Sequence, residues 1–207
     1  MFITFEGGEG SGKSTAIKAL VKRLETEGHS VVLTREPGGT PIAEQIREII
    51  LNKKNVEMDG MTEALLYAAS RRQHIQEKIL PAIKEGKIVL CDRYLDSSLA
   101  YQGGARGLGI DRVYELNQFA TEGLLPDITV FFALDPKIGL ARIGANANRE
   151  VNRLDVEKME FHQRVYDSFM ELARRFPDRY LIIDASKGPE EVANATYEAI
   201  QQKLHGN

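Results

Sequence analysis

The sequence predicts an α/β protein, a parallel sheet of about five strands with helices on both faces. Three observations carry this. Short apolar runs recur at residues 2–5, 31–34, 88–91, 128–134 and 180–183. They are near-continuous rather than alternating, as expected of strands buried on both faces. Longer stretches with helical spacing separate them, and the first run empties into a glycine-rich loop that opens a helix.

The first run, FITFE, leads into GGEGSGKST at residues 7–15. Gly7, Gly12, Lys13 and Ser14 fit the pattern G-x-x-x-x-G-K-[ST], and the apolar strand before it and helix after it are the context that pattern needs. Glycines let backbone N–H groups converge on phosphate oxygens, and the helix N-terminus adds a favourable dipole. Lys13 offers a point charge to terminal phosphates and Ser14 a hydroxyl to Mg²⁺. Residues Gly7, Gly8, Glu9, Gly10, Ser11, Gly12, Lys13, Ser14 and Thr15 are thus expected to bind the phosphates of a nucleoside triphosphate. The expected architecture is the three-layer fold of P-loop nucleotide-binding proteins. Ala16, Leu20, Val21 and Leu24 space the helix that follows, up to Gly28.

The second run ends at Arg35, with Arg47 further on. The third, KIVLCDR, places Asp92 at a strand's carboxyl end, the edge where ligands bind in open α/β sheets. Asp92 there reaches a magnesium ion or its water shell, or else caps the next helix. Cys91, the only cysteine, reads as a small core residue and points to a reducing compartment.

Arginine is suited to bidentate phosphate contacts. Arg35 and Arg93 stand at strand ends on the expected ligand edge, while Arg71, Arg142, Arg149 and Arg153 lie elsewhere along the chain. Tyr67 and Arg71, four apart, share a helix face, and Ser98, Tyr101 and Gln102 share one on a helix starting near Tyr94. The two faces would sandwich a base, or would hold core aromatics with solvated polar neighbours. The small, polar stretch GANANRE, 144–150, reads as a loop, and the chain as one domain over 1–207 with a lid near 143–153.

Bulk properties exclude several classes. A net charge of −3 argues against a nucleic-acid coat or a membrane-surface binder. No apolar run is long enough for a membrane helix, and MFITFE has no basic n-region of a signal peptide. The four histidines are scattered without zinc-site spacing. NKKN at 52–55 lacks the aspartate of the guanine reader of G proteins.

The sequence resembles the bacterial thymidylate kinases. The resemblance runs through FITFEGGEGSGKST, TREPGGTPIAEQIR, ALLYAASRRQH, VLCDRYLDSSLAYQGGARGLG, PDITVFFALDP and NRLD, nearly the whole chain. It implies ATP-dependent phosphorylation of dTMP to dTDP on the way to dTTP, with Mg²⁺, in a cytoplasmic homodimer. It also implies that Arg35, Arg47 and Arg93 hold the dTMP phosphate, and that Tyr67 stacks on thymine. Arg71 and Gln102 bond the base edge with Ser98 close by, Tyr101 crowds the 2′ position, and Glu9 accepts from the 3′-hydroxyl. Arg142 is placed with ATP. The phosphate loop carries no basic residue between Gly7 and Gly12, so a transition-state cation is expected from the lid, at Arg149 or Arg153. The rivals are a related kinase of uridylate or guanylate, and a P-loop switch that signals to a partner.

Overall fold

The computed structural model describes residues 1–144, 153–154 and 157–205. Strand β1 (Phe2–Glu6) runs through the middle of the sheet. On its two sides lie β3 (Ile88–Asp92) and β4 (Ile128–Ala133), with β2 (Val31–Arg35) and β5 (Tyr180–Asp184) at the edges. The order among the described residues is β2-β3-β1-β4-β5 and every pairing is parallel.

Successive side chains of a strand point to opposite faces, and β1 shows why its run is apolar throughout. Ile3 and Phe5 join a core with Leu20 and Leu24 of α1 (Lys13–Thr26) and Ile200 of α9 (Pro189–His205). Phe2 faces the other core, with Tyr94 and with Phe169 of α8 (Met159–Arg175). There Phe131 of β4 stacks on Phe169 with ring centroids 5.0 Å apart. Full burial of each such side chain is worth roughly 1.5–3 kcal/mol. The edge strands depart from the expectation of burial on both faces: Leu33 is 44% exposed and Ile182 52%.

Parallel register brings the functional ends level. Asp92 pairs with Phe5 on one side and with Arg35 on the other, so the β1 loop, Asp92 and Arg35 rise from one sheet edge. Beyond that edge, α2 (Pro41–Leu51), α3 (Gly60–His74) and α6 (Ile110–Thr121) form a helical wall. Proline at the start of α2 and the Asp59 cap on Met61 and Thr62 N–H groups (2.9 and 3.0 Å) fix where these helices begin. After α3 the chain takes a π-helical turn at Ile75–Ile79 and continues as α4 (Leu80–Lys84).

One expectation needs correcting. Ser98 ends the short α5 (Leu95–Ser98), and Tyr101 and Gln102 sit on the π-helical stretch Leu99–Ala105. The wider i→i+5 turn replaces the even α-helical face read from spacing.

Candidate active site

The phosphate loop is shaped by backbone. Gly10 and Gly12 adopt φ of 69° and 80°, a region side chains disfavour. A Cβ on Gly10 would lie 2.2 Å from the carbonyl of Gly139, and one on Gly139 2.2 Å from that of Glu9. Helix α7 (Pro136–Gly144) therefore seats directly on the loop. No side chain caps α1 and its first turn carries no acid, so its N-terminal dipole and N–H groups remain for an anion. Lys13 is buried and its Nζ donates to the Gly7 carbonyl at 3.3 Å. Burial, then the nearby Arg93 charge, lowers its pKa, against the pull of Asp92 and Glu9. Arg142 of α7 lines the same cleft, its guanidinium donating to the carbonyls of Gly10, Ala185 and Ser186.

Ser14 Oγ donates to Asp92 Oδ2 at 3.5 Å, and Asp92 Oδ1 is buried with no hydrogen-bond partner. A hydroxyl and an orphaned carboxylate oxygen are the oxygen donors a magnesium ion takes when it is shared with phosphates and water. No cluster of three or more carboxylate, His or Cys side chains that would hold a metal alone occurs among the described residues.

The second half of the site is a cavity of about 80 Å³. Glu9, Arg47, Tyr67, Arg71, Arg93, Tyr101 and Gln102 all line it. Arg71 is 1% exposed and held by four hydrogen bonds. Its Nε donates to Glu36 at 2.8 Å, Nη1 to Ser98 Oγ at 3.1 Å and to Asn117, and Nη2 to the Tyr94 carbonyl at 2.9 Å. The other Glu36 oxygen lies 3.0 Å from Nδ1 of the buried His74, whose Nε2 meets Thr34 Oγ1 at 2.7 Å. Gln102 Nε2 donates to Glu63 at 2.7 Å. Glu63 is wholly buried and also accepts from Arg106 and Arg153. Burial would raise its carboxyl, but the Gln102 and Arg153 hydrogen bonds and the charges of Arg106 and Arg153 hold it below the usual carboxylate range.

Arg93 joins the two halves. Its Nη2 donates to Glu9 of the phosphate loop at 2.7 Å, Nη1 reaches Ser97 Oγ at 3.3 Å, and its Cζ lies 5.1 Å from the Tyr101 ring centroid. At φ 70° it is a non-glycine residue in the left-handed region, a strained conformation typical of sites where geometry matters. The Tyr101 hydroxyl beside it is buried, and its pKa is pushed up to about 12, chiefly by burial and against the Arg93 charge and hydrogen bond.

Other sequence expectations land elsewhere. Arg35 is gripped by Glu44 at 2.6 and 3.2 Å and lines a neighbouring cleft with Ser14, Lys18, Lys78 and Asp92, not the cavity. Ser98 touches Arg71 without lining the cavity. Arg153, one of the two arginines expected to supply the lid cation, is buried. It bonds Glu63, the Ile50 carbonyl at 3.0 Å and Met58, because the chain there folds back onto α2 and α3. Arg149 and most of the expected lid lie outside the described residues.

Sequence reasoning missed Glu36, Glu63, Arg106 and Asn117. For Glu63 the signal was present: Glu63, Tyr67 and Arg71 are spaced i, i+4, i+8 on one face of α3. Asn117 carried none, since only the packing of α6 on α3 brings it to Arg71.

A phosphate loop uncapped by any side chain, an acid at the next strand end, and a polar cavity joined to both by one arginine define a P-loop nucleotide phosphotransferase. A family model described as thymidylate kinase matches residues 5–196. A curated thymidylate kinase of Geobacillus sp. (strain WCH70) is 58% identical over 205 residues, 99% of this chain and 98% of the relative. One of Bacillus licheniformis is 55% identical over 207 residues, covering 100% and 98%. A solved thymidylate kinase from Ehrlichia chaffeensis superposes with a TM-score of 0.79 at 34% identity, covering 97% of this chain and 98% of that one. The chain belongs to the thymidylate kinase family.

Proposed function

We infer that the protein transfers the terminal phosphoryl group of ATP to the phosphate of dTMP, giving dTDP and ADP. The family relationship supports the reaction. The observation that supports the assignment of residues is the Arg93–Glu9 contact at 2.7 Å, which ties the cavity to the phosphate loop.

In this assignment residues 7–15 cradle the ATP phosphates, Lys13 neutralises the terminal ones, and Arg142 bounds the far side of the ATP cleft. Ser14 and Asp92 would hold Mg²⁺, directly or through water, and the ion supplies charge neutralisation on the phosphates. Tyr67 stacks on thymine, Arg71 and Gln102 read its edge, and Ser98 steadies Arg71. Tyr101, held beside Arg93, fills the space of a 2′-hydroxyl and acts by the bulk of its ring. Glu9 takes the 3′-hydroxyl, Arg93 and Arg47 the acceptor phosphate, and Arg35 approaches it from the adjoining cleft. The acceptor phosphate is already anionic, so in-line positioning and charge neutralisation suffice without a general base. Arg149 is assigned as the lid cation of the transition state, Arg153 as a base-side positioning group.

A homodimer belongs to the proposal: α6 leaves Phe119 89% exposed and the neighbouring α3 leaves Leu65 51% exposed, an apolar face suited to a second copy. So does a cytoplasmic setting, in keeping with one buried free cysteine; among the described residues no helix is long and apolar enough to cross a membrane.

The test is a coupled ATP-consumption assay over dTMP, UMP and GMP with product identification. Turnover with dTMP to dTDP far above the others is expected. Equal turnover with UMP or GMP would reject the base assignment, and ATP hydrolysis without any acceptor would reject phosphoryl transfer.

A further inference from the structure

The cavity has a reader, Gln102, whose amide could in principle present either end to a base. An amide turned one way accepts and turned the other donates, so its orientation is a specificity setting. Here one end is fixed from behind. Glu63 Oε1 lies 2.7 Å from Gln102 Nε2, and an ionised carboxylate only accepts, so the NH₂ must face it. Two further facts hold the carboxylate in that state and place, against its burial. Arg106 donates to it at 3.3 and 3.4 Å, and Arg153 donates to its second oxygen. Arg106 is itself braced by Glu157 at 2.6 Å. The other end of the amide, Oε1, accepts from no described residue, and Gln102 lines the cavity.

We propose that Glu63 is the positioning residue that locks the Gln102 amide with its oxygen toward the bound base, and so excludes bases that present an acceptor there. Thymine carries a donor, N3–H, at that position on its edge, and cytosine carries a bare acceptor nitrogen. A freely turning glutamine would serve both. A locked one sets oxygen against nitrogen lone pair in cytosine, leaving two buried acceptors facing each other without a proton. The same carboxylate grips Arg153, whose neighbour Leu154 lines the cavity, so the wall and the reader are set together. This rests on the assignment of the cavity to the thymine base.

The test compares kcat/KM for dTMP and dCMP in the wild type, Glu63→Gln, Glu63→Asp and Gln102→Ala, with the KM for ATP measured alongside. Glu63→Gln keeps the size but can offer either a donor or an acceptor, which frees the Gln102 amide. The dTMP-to-dCMP preference is expected to fall at least about tenfold, through the nucleotide KM and with the KM for ATP unchanged. Glu63→Asp keeps an obligate acceptor and should hold the preference within about threefold of wild type; it also serves if Glu63→Gln does not fold. An equal loss for both nucleotides in Glu63→Gln, or collapse of the preference in Glu63→Asp, would overturn the proposal. Gln102→Ala separates the two levels: unchanged dTMP kinetics there removes the base assignment, and the proposal with it. Weakened dTMP there with an unchanged preference in Glu63→Gln removes the Glu63 role alone.

Discussion

The two halves of the site are built in opposite ways. The phosphate loop is mostly backbone, with exposed Gly12, Ser14 and Thr15 and glycines that keep side chains out of the way. The cavity is mostly side chain, lined by Arg71, Glu36 and Gln102, each at most 4% exposed and each already hydrogen-bonded. Phosphates are alike on every nucleotide and are met by N–H groups and a dipole that any of them can use. A base must be told from other bases, and that takes fixed donors and acceptors whose unmet partners cost free energy. Charges buried around the cavity are tolerable only because they are paired.

The largest effect should come from the loop. Lys13→Ala is expected to lower kcat by about 10²–10³, as for loss of one transition-state donor, with dTMP binding nearly intact. Single-turnover rates with dTMP binding measured separately check this. A dTMP affinity that fell as far as the rate would erase the division between the halves.

Arg71→Ala should do the reverse. The dTMP KM is expected to rise about ten- to a hundredfold with the KM for ATP unchanged. The variant also strands the Glu36 carboxylate, 2% exposed in its side chain and shared with His74. Breaking such a buried pair costs about 3–5 kcal/mol, seen as a lower Tm of the ligand-free protein. An ATP defect as large as the dTMP defect would place α3 in the wrong half.

The smallest effect concerns Glu6, a buried acid behind both halves, which accepts from Tyr94 N–H at 2.9 Å and Ser97 Oγ at 2.5 Å. Burial first, and then the Asp96 charge, raises its pKa from 4.5 to about 8. Between those values the folded chain keeps a proton that the unfolded chain has released, so stability falls as pH rises through this window and levels off above it. Glu6→Gln has no such proton, and its Tm should vary less across the window than that of wild type, by about 2–4 °C for each kcal/mol. Parallel Tm curves for the two proteins would mean that Glu6 does not titrate there.

How much of this was legible in the sequence follows the same division. Strands, loop and Asp92 were readable because they obey local rules: apolar runs, glycine spacing and the parallel register of strand ends. The facing residues Tyr67 and Arg71 were readable from α-helical period. Tyr101 and Gln102 were read on the right segment but in the wrong helix geometry, since a π-helical stretch has no signal in periodicity. Glu36, Asn117 and the destination of Arg153 were not legible. Each depends on a contact between residues 35, 46 or 90 positions apart, which only the packed fold determines. Gly139 belongs with them: the close approach of its Cα to the Glu9 carbonyl is set by packing alone.

On the proposed assignment, the cavity half is finished before ATP arrives, while the phosphate half is general. Thermal shift with dTMP, dCMP, UMP and GMP, each added alone and then with a non-hydrolysable ATP analogue, tests it most directly. A ligand that binds only the folded state raises Tm according to its concentration over Kd. A clear shift is expected with dTMP alone, little with the other three, and the same ranking when the analogue is present. A dTMP shift that appears only with the analogue, or a ranking that changes when it is added, would contradict the account.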